Sequence, residues 1–189
     1  VRCLLVELGP GRGTLMADLL RATNKVPGFH DALELHLVEA SPALRAKQKE
    51  LLGDATWHES VHDLPEAPLF LVANAFFDAL PIRQFIRAGA VWPERLVGFE
   101  NAHICFGLGA PSDQLMLRHR LEDTEDGQLV ELCEPVQPIV HEIGTRIKRH
   151  GGAGLIIDYG DWRSQGDTLQ AIKGHEEVDV LDMPGDSDL

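Results

Sequence analysis

Five side chains and three glycines hold the spacing that can do chemistry in this chain. Glu7 closes an apolar run, Cys3 to Leu8, and Gly9, Gly11 and Gly13 follow at alternate positions. Alternate glycines let the backbone turn tightly and let a ligand lie against it without Cβ atoms in the way. Helical spacing starts at once, with Leu15, Met16, Leu19 and Leu20 on one face. The N-terminus of that helix offers free N–H groups and a partial positive charge, which suit a carboxylate or a phosphate. Strand, glycine turn and helix is the layout of a nucleotide-type cofactor site in an open α/β sheet.

The detailed spacing narrows the cofactor. A dinucleotide site wants GxGxxG and a phosphate loop wants GxxxxGK[ST]. Here the string is E-L-G-P-G-R-G, with Thr14 where the third dinucleotide glycine would fall and no lysine to hold phosphates. A second acidic residue, Glu39, closes the apolar-rich stretch Leu33 to Val38. In a Rossmann-type fold an acidic residue there accepts hydrogen bonds from the two ribose hydroxyls. A solvated carboxylate capping the next helix is the alternative role. A third apolar run, Leu69 to Ala73, ends at Asn74, with Asp78 four residues on. Ligands of open α/β sheets bind outside such strand ends, and an amide and a carboxylate there suit a polar substrate group. Phe76 and Phe77 are candidates for a pocket wall. A fourth run, Ala153 to Ile157, leads into Asp158 and Tyr159.

The elements that must position these residues alternate strand and helix, which predicts a parallel sheet. Residues 1–60 read β-α-β-α-β. Ser41 caps a helix that starts at Pro42 and stops at Gly53, and Ala55 to His58 is a short third strand. Pro81 is expected to start a helix through Phe85 and Ile86. The glycine-broken pieces Ala90–Phe99 and His103–Leu108, with Leu129–Cys133, read as a β-rich insertion, and Glu122–Asp126 as an acidic loop. Ile139, Ile143 and Ile147 predict a helix over Pro138–His150, ended by Gly151-Gly152. Asp161–Gly166 reads as a polar loop, with Trp162 flanking the pocket. The expected division is 1–89, first part of a cofactor-binding core; 90–132, insertion; 133–189, second part of the core.

Composition excludes several classes. The 189 residues suffice for one domain with a real core. The net charge of −13, with no long basic patch, argues against nucleic acid and for a basic partner. Cys3, Cys105 and Cys133 are widely spaced, which argues against a disulfide framework and a structural zinc site. No apolar run approaches the length of a membrane span. The chain starts at Val1 within the first strand and ends on a polar tail, which reads as a fragment truncated at both ends.

Four stretches taken together carry a family resemblance: VELGPGRGTLMADLLR, HLVEASPALRAKQ, LVANAFFDALPIRQF and GGAGLIIDYG with GDTLQAIKGHEEVD. In this order they resemble the MidA-like S-adenosylmethionine-dependent methyltransferases, bacterial relatives of the mitochondrial complex I assembly arginine methyltransferase. The resemblance implies a Rossmann-like class I methyltransferase sheet, α/β in class, with S-adenosyl-L-methionine as cofactor. It implies Gly9, Gly11 and Gly13 along the cofactor, Glu7 towards its methionine end and Glu39 on its ribose. Asn74 and Asp78 would border the substrate, with Asp158 beside them; these three are the candidate catalytic residues. It further implies methyl transfer to an arginine of a basic protein, a homodimer, and a cytoplasmic place in bacteria or the mitochondrial matrix in eukaryotes. One departure bears on catalysis. The family reads N-E-F-F-D-A-L-P where this chain has Ala75, which opens a second reading, a weakly active or inactive assembly protein. The family also places two further strands after the last residues here, so the sheet edge is expected to be open.

Overall fold

The computed structural model describes residues 2–160, 166–182 and 185–187. In chain order its strands and α-helices are β1 (Cys3–Leu8), α1 (Thr14–Thr23), β2 (Leu33–Val38), α2 (Pro42–Leu52), β3 (Thr56–His58), β4 (Leu69–Asn74), β5 (Arg83–Ile86), β6 (Glu94–Glu100), β7 (His103–Leu108), β8 (Leu129–Leu132), α3 (Val136–His150), β9 (Gly152–Ile157), β10 (Ala171–Lys173) and β11 (Glu176–Val178). The chain divides into two compact units, residues 1–80 with 135–159, and residues 81–134 with 160–189. The expected insertion 90–132 lies within the second unit.

The first unit is the α/β sheet that the alternating pattern predicts. Its order is β3-β2-β1-β4-β9, and all pairs are parallel. β1 is central and buried from Leu4 to Leu8, which is why it reads as an unbroken apolar run. Its alternate residues serve two cores. Leu4, Val6 and Leu8 pack with Leu69, Leu71, Ala73 and Ile143 of α3. Leu5 packs with Leu37 and with Met16 of α1 on the opposite face. β1 to β3 are laid to one side and β4 to β9 to the other, so the order reverses between β1 and β4, where ligands of such sheets bind.

Local signals set the helices as read. Ser41 accepts from the Leu44 amide and Pro42 stands in the first turn of α2, while Gly53 ends it at φ 68°. Gly151 ends α3 at φ 85°. β9 is the sheet edge, and all six of its residues are exposed.

The second unit is antiparallel, in the order β7-β6-β5-β8 with a separate β10-β11 hairpin, around Phe85, Trp92, Leu117 and Val130. The helix expected after Pro81 is a correction: Arg83–Ile86 is strand β5. Its backbone finds partners on both sides, in β6 and β8, and both Gln84 and Phe85 are buried. A four-residue helix has too few internal hydrogen bonds to compete with two ladders. The 3₁₀ turns of Leu115–Glu122 and the β10-β11 hairpin were not legible. The Asp161–Gly166 loop and Trp162 fall on residues 161–165, outside those described.

Gly152 starts β9 at φ 119°, and a Cβ there would fall inside the Leu69 backbone. G152A is expected to destabilise the intact protein by on the order of 3 kcal/mol in urea denaturation. A loss near zero would show that the β4–β9 start tolerates a side chain.

Candidate functional site

The loop after β1 is built for contact with a ligand. Gly9, Gly11 and Gly13 lie at φ 61°, 54° and 84°, in the left-handed region that favours glycine. A Cβ on Gly11 would meet nothing within 4 Å, so that backbone is open, whereas one on Gly9 would press on the Phe76 ring at 2.8 Å. Helix α1 has Gly13 at its N-cap with no side-chain cap, and in its first turn the Met16 amide donates to Glu7.

Glu7 lies under this loop. It is 3% exposed, and its Oε2 has no hydrogen-bond partner. Burial pushes its carboxyl up to about 7, against a hydrogen bond from the Met16 amide that favours the ionised form. An unpartnered buried carboxyl oxygen is costly unless a cationic or N–H donor completes it. The open glycine backbone and this oxygen together fit a cofactor that carries an ammonium group.

Glu39 stands at the end of β2, half-buried. Its Oε1 accepts from the Ser41 amide at 2.8 Å and its Oε2 from Gln48 Nε2 at 3.2 Å. The two roles left open by the sequence are thus compatible: one oxygen serves the start of α2, and the group keeps capacity for a ligand. Arg45 fixes the backbone here, donating to the carbonyls of Glu39 at 2.6 Å and His58 at 3.1 Å.

Across the switch point, β4 ends with Asn74, and the Ala75 amide donates to the Ile157 carbonyl at 2.9 Å. Ala75 itself is left-handed at φ 49°. Asn74, Ala75 and Asp78 are exposed. Phe76 and Phe77 stack edge to face at 5.2 Å. The carboxylate of Asp158 organises this turn: its Oδ2 accepts from the amides of Phe77 and Asp78, each at 3.1 Å, and its Oδ1 from Tyr159 at 2.9 Å. Both oxygens of Asp158 are therefore engaged with backbone, and Asp78 carries the uncommitted carboxylate.

The structure brings Glu7, the three glycines and Glu39 to one end of the sheet, with Asn74, Asp78 and Asp158 at the neighbouring strand ends. Sequence reasoning missed Gln48 and Trp57. The signal for Gln48 was a polar residue within a fourfold-spaced apolar stripe, Leu44, Gln48, Leu52. It is 0% exposed.

A parallel sheet in the order β3-β2-β1-β4-β9, with an acidic-x-Gly-x-Gly-x-Gly loop at its switch point, defines a class I methyltransferase-type cofactor domain. The family model described as "Putative S-adenosyl-L-methionine-dependent methyltransferase" matches residues 2–189, and the chain belongs to that family. The chain is similar to the mitochondrial protein arginine methyltransferase NDUFAF7 of Danio rerio, 35% identical over 212 residues, covering 98% of this chain and 50% of the relative. It is similar to the Homo sapiens protein of that name at 30% identity, covering 98% and 48%. A crystal structure from Burkholderia thailandensis with S-adenosyl-homocysteine bound matches with a TM-score of 0.76 at 26% identity, over 99% of this chain and 51% of that one. Another from the same organism matches at 0.78 and 27%, over 99% and 53%. The chain spans about half the length of these relatives.

Glu7 is expected to make the binding of a cationic ligand pH-dependent. Its carboxyl is near 4.5 when unfolded and about 7 here, so between these values the folded protein keeps a proton that the unfolded chain has released. Stability without ligand therefore declines as pH rises from about 4.5 to about 7. A cationic ligand favours the ionised form, so affinity rises over the same window and binding releases a proton. Calorimetry of S-adenosyl-homocysteine binding to the intact protein at pH 7, in buffers of different ionisation enthalpy, should show this release in wild type and not in E7Q.

Proposed function

We propose that the intact protein transfers a methyl group from S-adenosyl-L-methionine to an arginine of a basic protein. The observation that carries the reading is the buried, unpartnered Glu7 oxygen beside an open glycine loop, one strand from Asn74 and Asp78. When bound, the cofactor supplies an activated methyl group for displacement by a nitrogen nucleophile. The chain's own residues then have separable tasks. Glu7 completes its hydrogen bonding with the ammonium of the methionine end. Gly9, Gly11 and Gly13 keep Cβ atoms off the ligand, and Glu39 takes the ribose hydroxyls.

Asn74 and Asp78 face the acceptor, Asp78 drawing the guanidinium charge and Asn74 orienting it through its amide. Holding the acceptor nitrogen in line is the main contribution, since alignment can supply several kcal/mol. Asp158 holds the turn that carries Asp78. The arginine acceptor is supported by the names of the most similar relatives. The net charge of −13 suits a basic protein partner. Among the described residues no helix is long and apolar enough to cross a membrane. A homodimer is part of the proposal. So is its place: the mitochondrial matrix for a eukaryotic source, the relatives being named as mitochondrial, or the cytoplasm for a bacterial one. A non-catalytic assembly role draws support from Ala75, whereas the Glu7 oxygen and the open glycine loop favour a protein that binds the cofactor.

The test is incubation of the intact protein with cofactor and basic candidate proteins, with methylarginine read by mass spectrometry. Methylation of lysine or histidine alone would overturn the arginine assignment. A75E places a second carboxylate next to Asn74 and is expected to raise turnover about tenfold or more. Unchanged turnover would show that a carboxylate at 75 is not a limiting catalytic group.

A further inference from the structure

Among the described residues, the polar side chain that is 0% exposed is Gln48, and the reading above gives it no role. Both of its N–H donors and its oxygen are engaged. The indole N–H of Trp57 donates to its Oε1 at 2.8 Å. Its Nε2 donates to the Gly11 carbonyl at 2.7 Å and to Glu39 Oε2 at 3.2 Å. An indole N–H is a donor only, so Trp57 dictates which end of the amide is oxygen. A flipped amide would set N–H against N–H and oxygen against the Gly11 carbonyl and the carboxylate. The stem of Gln48 also underlies the loop, because a Cβ on Gly13 would meet its Cγ at 3.5 Å.

We propose that Gln48, oriented by Trp57, is a positioning residue that ties the glycine loop to Glu39 and prepares that carboxylate for a ribose with both hydroxyls free. The inference rests on the cofactor reading above and adds the device that sets its ribose specificity. Each oxygen of Glu39 already holds one anchoring donor, Ser41 N–H on Oε1 and Gln48 N–H on Oε2. A carboxylate oxygen accepts about two hydrogen bonds. One acceptor site per oxygen therefore remains, a pair that matches the two adjacent hydroxyls of a ribose. Anchoring both oxygens removes the rotation that would otherwise be lost on binding. The same amide holds Gly11, so the loop and the carboxylate keep a set spacing when the ligand arrives. A phosphorylated hydroxyl would bring like charge against Glu39 and is rejected.

The test uses the intact protein and two ligands, S-adenosyl-homocysteine and its 3′-deoxyribose analogue, with dissociation constants from calorimetry and the ligand-free melting temperature recorded for each variant. Wild type should bind the analogue roughly 10- to 100-fold more weakly, the loss of a hydrogen bond to a charged acceptor. Q48M keeps the length and removes the amide. It should weaken S-adenosyl-homocysteine about tenfold and leave the analogue nearly unchanged, so the discrimination ratio falls towards one. W57F frees the amide to turn and should move the ratio in the same direction, which keeps the test available if Q48M does not fold. Unaltered discrimination in both variants overturns the proposal, and so does equal weakening of both ligands, the mark of a merely structural role. Wild type that binds S-adenosyl-homocysteine without discriminating overturns it through Glu39 alone. Absence of any binding removes the cofactor reading as well.

Discussion

The structure depends on the parallel pairing of β1 with β4. This pairing sets Leu8 opposite Ala73, so the two chains leave the sheet side by side, one into the glycine loop and the other into the Asn74–Asp78 turn. Their direct contact is Phe76 against Gly9, close enough that a methyl group on Gly9 would have to move the ring. The glycine loop and the Asn74–Asp78 turn thus meet with no dedicated side-chain bridge among the described residues. Adjacent strand ends in a sheet whose order reverses between them are enough.

Around this junction, polar side chains work mainly on backbone. Asp158 holds the amides of Phe77 and Asp78, Arg45 holds the carbonyls at residues 39 and 58, and Gln48 holds the carbonyl of Gly11. These contacts lie at a sheet end where unpaired backbone groups are costly. Glu7 stands apart, since one of its oxygens is buried and unmet. A site that leaves an acid incomplete stores an interaction for its ligand, which is the logic of a prepared binding site.

The order of elements in the first unit was readable because each carries a local signal. Apolar runs mark the parallel strands, Ser41 and Pro42 start α2, and Gly53 and Gly151 end their helices. The second unit was readable only in part. β5 has just four residues, and its strand character comes from partners on both sides, which a local reading of Pro81 to Ile86 cannot supply.

By itself the sequence determined the chemistry at the strand ends: the alternating glycines, Glu7, Glu39, Asn74 and Asp78, and through four ordered stretches the methyltransferase family. These are legible because backbone permissiveness and side-chain type are properties of single residues at close spacing. Only the tertiary structure decided how the residues divide the work. It committed one oxygen of Asp158 to a turn 80 residues away and the other to the adjacent Tyr159 amide, and it buried Gln48 between Gly11, Glu39 and Trp57. Such roles depend on which hydrogen-bonding groups a side chain meets once water is excluded, and those groups come from segments that only folding brings together.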